Sequence, residues 1–502
     1  MKVVELLAGC GAEQISGGRA AIDVLGVSSD SRKVERGHLF VALPGTKVDG
    51  LQFVDEAKAK GAVAVLTEQR EATSLPTFVV SNARQALATL ASNFYKRPSD
   101  VLVLLGVTGT NGKTTTACLL ESICAASGAN TGLIGTVQVK FDGKSREPTH
   151  TTPDAIELHR TMREMVDSGV DTVVMEVSSH ALAQERVHGL VFKAAAFTNL
   201  SRDHLDYHAD MEAYFQAKRT LFTGLLSPGG MAVVSGEDTY GARIYSELRQ
   251  GRRMAWKFSR EGNGELSATH VEFSMQGIRA TLKTPAGDIP IRSSLIGPHN
   301  LDNILAAAGM ALGAGFARRD VQEGVERLVN VPGRMERIEY EGRTVLVDYA
   351  HSDDALRRVL EAARGLAKGK LIAVFGCGGD RDRGKRPLMG QAAAEVADWV
   401  VVTSDNPRKE DPDEIVGEIT PGVEKAGLRR ISAGKARSGE RGYFVEVDRR
   451  AAIEMAVSLA KPGDLIVLAG KGHETTQIVG AERKRFDDRE EAQRALANAG
   501  KA

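Results

Sequence analysis

Along the chain, short apolar runs end abruptly in polar clusters. Val101-Leu102-Val103-Leu104-Leu105 is one such run, and it predicts a buried parallel strand. It leads into a glycine- and threonine-rich stretch, residues 106–116, behind which Ala117, Leu120 and Cys124 recur at helical spacing. Residues 172–175 run into Glu176-Val177-Ser178-Ser179-His180, and residues 194–197 into a polar stretch that ends at His208. The pattern returns later. Residues 344–347 lead to Asp348-Tyr349-Ala350-His351, and residues 371–375 to a glycine- and arginine-rich stretch ending at Pro387. Residues 399–403 lead to Ser404-Asp405-Asn406-Pro407-Arg408, and residues 465–468 to Ala469-Gly470-Lys471-Gly472-His473-Glu474. Strands alternating with helical patterns predict an α/β protein with parallel sheets. Ligands gather beyond the carboxyl ends of such strands, so a series of polar strand ends predicts a shared crevice.

Two breaks divide the pattern. Lys96-Arg97-Pro98-Ser99-Asp100 and Val331-Pro332-Gly333 interrupt the periodicity with proline, glycine and charge. The expected units are 1–97, 98–333 and 334–502: a small N-terminal α/β domain, a central doubly wound domain carrying a phosphate loop, and a smaller Rossmann-like domain. In the first, residues 39–43 and 62–66 read as strands with a helical stretch at 53–60 between them. A length of 502 residues suits about three domains. Lys plus Arg and Asp plus Glu both number 65, so no charge excess recommends nucleic acid or an anionic membrane. No apolar run approaches the roughly 20 residues of a membrane span, and the N-terminus is too short and acidic for a signal peptide. The four cysteines have neither C-x-x-C spacing nor a disulfide framework, which suits a reducing cytoplasm.

The chemistry starts at residues 106–116. A strand, a glycine-rich turn, Lys113-Thr114 and a helix form a phosphate cradle. Backbone N–H groups approach the oxygens, Lys113 supplies charge, and the Thr114 hydroxyl lies where a Mg²⁺ ligand is needed. Val107 stands where the common spacing has a glycine. Glu176, a carboxylate ending an apolar strand, is the best second magnesium ligand, the alternative being an ion pair with an arginine. His204 and His208 lie four apart, but without an H-E-x-x-H pattern or a third ligand zinc is disfavoured. Lys218, on a helical stretch, reads by itself as a solvated lysine. Asn300 and Asn303 precede or open a helix, where capping is the plain alternative. Arg381, Arg383, Arg386 and Arg408 concentrate cationic forks suited to carboxylates or phosphates, or else form a solvated basic face.

Together these motifs resemble the Mur ligase family, ATP-dependent amino-acid ligases of peptidoglycan precursor synthesis. The resemblance spans essentially the whole chain and explains Val107, because the family loop is a shortened relative of the usual one. Residues 375–382 and 469–474 are most similar to members that extend UDP-N-acetylmuramoyl-L-alanyl-D-glutamate by the third stem-peptide residue. The resemblance implies that ATP phosphorylates a substrate carboxylate, an amine attacks the acyl phosphate, and phosphate leaves. Thr108, Gly109, Thr110, Asn111, Gly112, Lys113, Thr114 and Thr115 would hold ATP, with Asn303 at the adenine, Arg334 at a phosphate and Asp348 at the ribose. Lys113, Glu176, His204 and Lys218 would be the catalytic set. Thr114, Glu176, His204 and Lys218, the last carbamylated from CO2 to N6-carboxylysine, would hold two Mg²⁺ ions. Ser31 and Thr46 would hold the uridine nucleotide, and Thr151, Thr152, Ser178, Gln184 and Arg186 the muramoyl dipeptide. One departure is Ser352-Asp353, where the family usually has Thr-Pro; an added carboxylate there is expected to act on His351. A monomer without nucleic-acid or membrane partners is expected.

The incoming amino acid is the sharpest question. Asp405-Asn406-Pro407-Arg408 resembles the signature of members that take meso-2,6-diaminopimelate, which differs from lysine by a second carboxylate at its far end. Arg408 can grip that carboxylate bidentately and would be left unpaired by lysine. Asp405 and Glu474 would take the distal ammonium, with Arg381, Asn406, Pro407 and Gly470 completing the site. A lysine-adding or folylpolyglutamate-synthase-type ligase sharing the ATP core is the near alternative. A nucleotide-switched binding protein is the distant one, disfavoured by the many decorated strand ends.

Overall fold

The computed structural model describes residues 1–17, 22–45 and 48–499. Three main sheets follow one another, with two smaller ones between and after them. The first has five strands: β1 (Glu13–Gln14), β2 (Gly26–Ser28), β3 (His38–Val41), β4 (Ala64–Thr67) and β5 (Thr77–Val79), in the order β1-β5-β4-β3-β2. Apolar cores on its two faces account for the continuous runs at 39–43 and 62–66.

The second sheet has eight strands: β6 (Val103–Thr108), β7 (Thr131–Ile134), β8 (Val139–Phe141), β9 (Lys144–Arg146), β10 (Thr172–Glu176), β11 (Phe192–Phe197), β12 (Leu226–Ser235) and β13 (Ala255–Phe258). The central strand, β6, is parallel to both β10 and β11. Leu104 points into one core, and Leu105 and Val107 into the other, the alternation a strand imposes. The strand begins two residues later than the apolar run suggests, because Pro98–Val101 forms a 3-10 turn. Gly106 is needed by packing: a side chain there would meet the Phe192 ring at 2.8 Å. Strand register does the functional work here. Glu176 pairs with Val107 and Phe197 with Thr108, so the polar clusters leave the sheet at one edge, beside the phosphate loop.

A small antiparallel sheet, β14 (Ser267–Ser274), β15 (Gly277–Lys283) and β16 (Ile289–Ser293), shares a core with the helix Pro298–Ala314. The third main sheet runs β17 (Glu336–Tyr340), β18 (Arg343–Asp348), β22 (Leu465–Ala469), β19 (Leu371–Phe375), β20 (Trp399–Val402), β21 (Gly442–Val445) in spatial order. A hairpin of β23 (Thr476–Val479) and β24 (Glu482–Arg485) follows. Asp348 and Phe375 both pair with Ala469, and Phe375 with Val402, so these strand ends are level too. Among the described residues no helix is long and apolar enough to cross a membrane.

Candidate active site

The phosphate loop is braced from behind by the end of β11. Thr110 N–H donates to the Asn199 carbonyl (2.8 Å), Asn111 N–H to Asn199 Oδ1 (3.0 Å), and the Thr198 hydroxyl to the Asn111 carbonyl (2.6 Å). Gly109 (φ +146°) and Gly112 (φ +87°) take backbone conformations that side chains resist. A Cβ would also fall 1.9 Å from Thr198 Oγ1 at the first and 2.3 Å from Asn303 Oδ1 at the second. Lys113 folds back over the loop, donating to the carbonyls of Gly109 (3.1 Å) and Thr110 (2.9 Å). Burial pushes its pKa down, against Glu176 and Asp203, which push it up.

Glu176 is buried, and its partners are all neutral. Its oxygens accept from the Thr114 hydroxyl (3.1 Å), the Thr136 hydroxyl (2.9 Å) and the Thr136 N–H (2.7 Å). Among the described residues it forms no ion pair, so the arginine alternative falls away. A carboxylate oriented by hydroxyls beside a phosphate loop is a donor set that suits a hard divalent cation. Thr136 was not anticipated, since nothing in the sequence marks a lone threonine as a carboxylate's clamp.

Lys218 overturns its plain reading. It is 1% exposed, donates to the Gly109 carbonyl (2.7 Å), and lies 4.6 Å from the centre of the Tyr214 ring. Burial, reinforced by the charge of Lys113 and opposed by Asp203, holds its pKa well below that of a free lysine. Burial thus disfavours the ammonium form, and the unprotonated amine is the nucleophilic state that can add to CO2. His204, in the left-handed region at φ +55°, has its ring 3.4 Å from Asp203 and 4.9 Å from the His180 ring. Burial keeps it neutral, with a lone pair available.

The third sheet reaches across to the loop. Arg334 donates to the Thr114 hydroxyl (3.2 Å) and lies over the Tyr349 ring at 4.7 Å. Asp348 accepts backbone N–H groups from Met335 and Ala350, both at 2.8 Å, which fixes its carboxylate. Asn111 donates to Asp354 (3.0 Å), and Arg202 pairs with Asp382 (3.3 Å). Between the loop and this sheet lies a cavity of about 310 Å³ whose walls include Lys113, Glu176, His204, Asn303, Arg334 and Asp348. Capping does not explain Asn300 or Asn303. Gly297 caps that helix, Pro298 opens it, and both asparagines lie inside it, with Asn303 taking bonds from Thr116 (3.3 Å) and giving one to Asn300 (2.9 Å). Ser352 caps the helix Asp353–Leu366. Asp353 does not set His351 as expected: burial and Lys385 push that histidine down, and Asp203 is the carboxylate opposing them.

The dipeptide candidates form one hydrogen-bonded chain leading to Glu176. Thr151 meets Thr136 at 3.0 Å, and Thr152 donates to the Glu176 carbonyl (2.8 Å) and accepts from Ser178 N–H (3.0 Å). Arg186 donates to the Thr152 carbonyl (2.8 Å) and to Gln184 (2.7 Å). Ser31 lies apart, in the first sheet's unit, donating to Glu56 at 2.8 Å. Thr46 lies outside the described residues.

In the third unit the four arginines separate. Arg386 is fully buried between Glu410 and Glu418, at 2.9 Å from each, and Arg383 pairs with the same two acids. Both are spent on tying the helix Lys385–Val396 to the helix Pro412–Lys425, so neither is a free fork. Arg408 is different. It sits at φ +53°, held by an N–H bond to the Ile478 carbonyl (3.0 Å), and among the described residues its guanidinium donates only to the Gly379 carbonyl (2.7 Å). Such backbone strain in a non-glycine residue accumulates at ligand sites. Burial and the neighbouring Arg381 push its pKa down, an arrangement an incoming anion relieves. Next to it, Asp405 is 7% exposed, and among the described residues its Oδ1 has no hydrogen-bond partner, the Lys471 ammonium lying 3.7 Å away. Gly470 flanks that carboxylate: a Cβ there would come within 3.6 Å of its Cγ. Asn406 donates to Glu474 at 2.8 Å.

The floor of this pocket is pinned by Arg449, fully buried, which pairs with Asp488 at 2.6 Å and donates to the carbonyls of Ser404 (3.3 Å) and Ala469 (3.0 Å). Replacing Asp488 by asparagine strands a buried guanidinium. Urea unfolding is expected to show a stability loss of about 3–5 kcal/mol.

The comparisons with known proteins agree with this layout. Family models described as Mur ligase family, catalytic domain; Mur ligase middle domain; and Mur ligase, glutamate ligase domain match residues 23–95, 107–311 and 333–472 in turn. A Geobacter metallireducens protein named UDP-N-acetylmuramoyl-L-alanyl-D-glutamate–2,6-diaminopimelate ligase is 45% identical over 96% of each chain. A Gloeobacter violaceus protein of the same name is 45% identical over 99% of this chain and 98% of its own. A solved structure of a ligase with that name superposes with a TM-score of 0.68 at 34% identity, over 97% of both chains. MurF from Acinetobacter baumannii, at 19% identity and TM-score 0.65 over 99% of this chain and 98% of that one, shares the fold. With a phosphate loop facing a second α/β unit across one cavity, and matching models along most of its length, the chain belongs to the Mur ligase family.

Proposed function

We propose that the protein joins meso-2,6-diaminopimelate to UDP-N-acetylmuramoyl-L-alanyl-D-glutamate at the expense of ATP, through an acyl phosphate. The observation that carries the choice of amino acid is the pairing, in one pocket, of an underused guanidinium at Arg408 with a buried carboxylate at Asp405 whose Oδ1, though 3.7 Å from the Lys471 ammonium, accepts no hydrogen bond among the described residues. A terminus bearing one carboxylate and one ammonium satisfies both; the amine of lysine satisfies only the second.

The remaining residues take the roles that the family resemblance implies, and the contacts described above support them where those residues are described. Thr108 to Thr115 cradle the phosphates, Lys113 neutralises the group in transfer, and Asn303, Arg334 and Asp348 hold adenine, phosphate and ribose. Thr114, Glu176, His204 and a carbamate on Lys218 would hold two magnesium ions, which supply electrostatic stabilisation to the phosphoryl group. Thr151, Thr152, Ser178, Gln184 and Arg186 orient the dipeptide so that its terminal carboxylate meets the γ-phosphate in line. Ser31 and Thr46 anchor the uridine end. The acyl phosphate then presents an activated carbonyl to the amine held by Arg408, Asp405 and Glu474, with Arg381, Asn406, Pro407 and Gly470 around it. Three domains, 1–97, 98–333 and 334–502, divide this labour, and closure of the third over the second excludes water from the labile anhydride. We place the protein in the cytoplasm as a monomer, acting on soluble precursors.

The test is phosphate release from ATP in the presence of the UDP-muramoyl dipeptide and either meso-diaminopimelate or L-lysine. Turnover with diaminopimelate and little with lysine is expected. Equal rates would overturn the assignment of the amino acid, and no turnover with either would revive a binding role.

A further inference from the structure

Lys471 lies beneath the amino-acid pocket with no exposed surface. Its ammonium is 2.7 Å from the Thr476 carbonyl, 3.2 Å from Glu474 Oε2, 3.3 Å from Asn406 Oδ1 and 3.7 Å from Asp405 Oδ1. A buried ammonium is costly unless paired, and this one is shared between two carboxylates. We propose that Lys471 is a positioning residue that sets the charge of the acidic side of this pocket, Asp405 with Glu474 opposite Arg408, at one net negative, so that this side accepts a single substrate ammonium; this rests on the function proposed above.

Two observations support this reading besides the distances. Asn406 is locked in one orientation, its oxygen facing Lys471 and the Ile478 N–H (3.0 Å) while its amide nitrogen faces Glu474 (2.8 Å). The lysine thereby ties Glu474 and Asn406 into a fixed wall. Asp405 is held less tightly: its Oδ1 lies 3.7 Å from the ammonium and, among the described residues, accepts no hydrogen bond. Counting Asp405, Glu474 and Lys471, two negative charges face one positive, and the incoming ammonium completes the balance. Without Lys471, two carboxylates would converge with nothing between them and their repulsion would swing Glu474 out of the wall.

The test is a charge cycle read as the KM for meso-diaminopimelate. Lys471→Met is expected to raise that KM by roughly 30-fold or more, the scale of a lost buried charge pair, while the KM values for ATP and the UDP-muramoyl dipeptide move by no more than about twofold. Glu474→Gln alone leaves the acidic side neutral, Asp405 against Lys471, and is expected to raise the same KM. Adding Lys471→Met to Glu474→Gln restores one net negative charge, so the double variant is expected to bind diaminopimelate better than Glu474→Gln alone. A residue that merely supports the fold predicts the opposite, a double variant worse than either single. That comparison stands even if Lys471→Met alone does not fold. An unchanged diaminopimelate KM in Lys471→Met, a parallel rise in all three KM values, or a double variant no better than Glu474→Gln would overturn the proposal. If the wild-type protein turns over with neither amino acid, the functional reading fails and this inference with it; if it turns over and the cycle does not close, only the inference fails.

Discussion

Replacing Lys218 by alanine is expected to lower turnover on the order of a thousandfold, the scale of losing one group that stabilises transferring charge, with partial recovery in added acetate or formate. The geometry explains both halves. The amine is buried and hydrogen-bonded to the carbonyl of Gly109 in the phosphate loop, and burial and the charge of Lys113 both disfavour its charged form. Two ammonium groups on one loop carbonyl would repel one another. Addition of CO2 to the unprotonated Lys218 nitrogen would form a C–N bond and release a proton, leaving an anion where a second cation would otherwise face Lys113. The product would be a carboxylate at the phosphate loop and near His204, the kind of oxygen ligand that magnesium takes. Alanine removes the arm and leaves a space that a short carboxylate can enter. Full activity in the unrescued variant would remove the carbamate proposal. Retained dependence on bicarbonate in that variant would point to a different group.

The second large effect lies at Arg408. Arg408→Ala is expected to raise the KM for meso-diaminopimelate by about 2–5 kcal/mol equivalent, the range for breaking a hydrogen-bonded charge pair in a partly closed site. The KM for L-lysine should barely move, so the preference between the two collapses. Arg408→Lys should recover only part of it, because an ammonium keeps the charge and loses the planar fork. The ratio of kcat/KM values for the two amino acids is the measurement. If the ratio survives in Arg408→Ala, another group reads the distal carboxylate, and Arg381, the cation whose field already acts on Arg408, is the one to change next.

These expectations were readable in the sequence to different depths. Strands buried on both faces announce themselves as unbroken apolar runs, which is why β19 falls exactly where residues 371–375 suggest. Their polar ends were legible for the same reason: the change from apolar to polar is sharp. The small sheet β14–β16 was not legible, since Ser267–Ser274 is mostly exposed and carries no apolar run. Burial of long cations was the larger blind spot. Lys218, Arg386, Arg449 and Lys471 are each at most 1% exposed, yet a charged residue on a helix or beyond a strand reads as solvated until its partners are known. Those partners lie far away in sequence, as Asp488 does from Arg449 and Gly109 from Lys218. The resemblance to a family supplied Lys218 where periodicity could not, and supplied nothing for Lys471.

The buried pair between Arg449 and Asp488 has a consequence for how defects in this protein will look. Asp488 opens the helix Asp488–Ala499, while Arg449 grips the carbonyls just ahead of Asp405 and Gly470. That helix therefore acts as a keystone for a pocket to which it contributes no side chain. Lesions that unseat it, by truncation or by a bulky fusion, should register first as poor recognition of the amino acid, with nucleotide affinity spared. A screen that scored only ATP binding would pass such a protein as healthy.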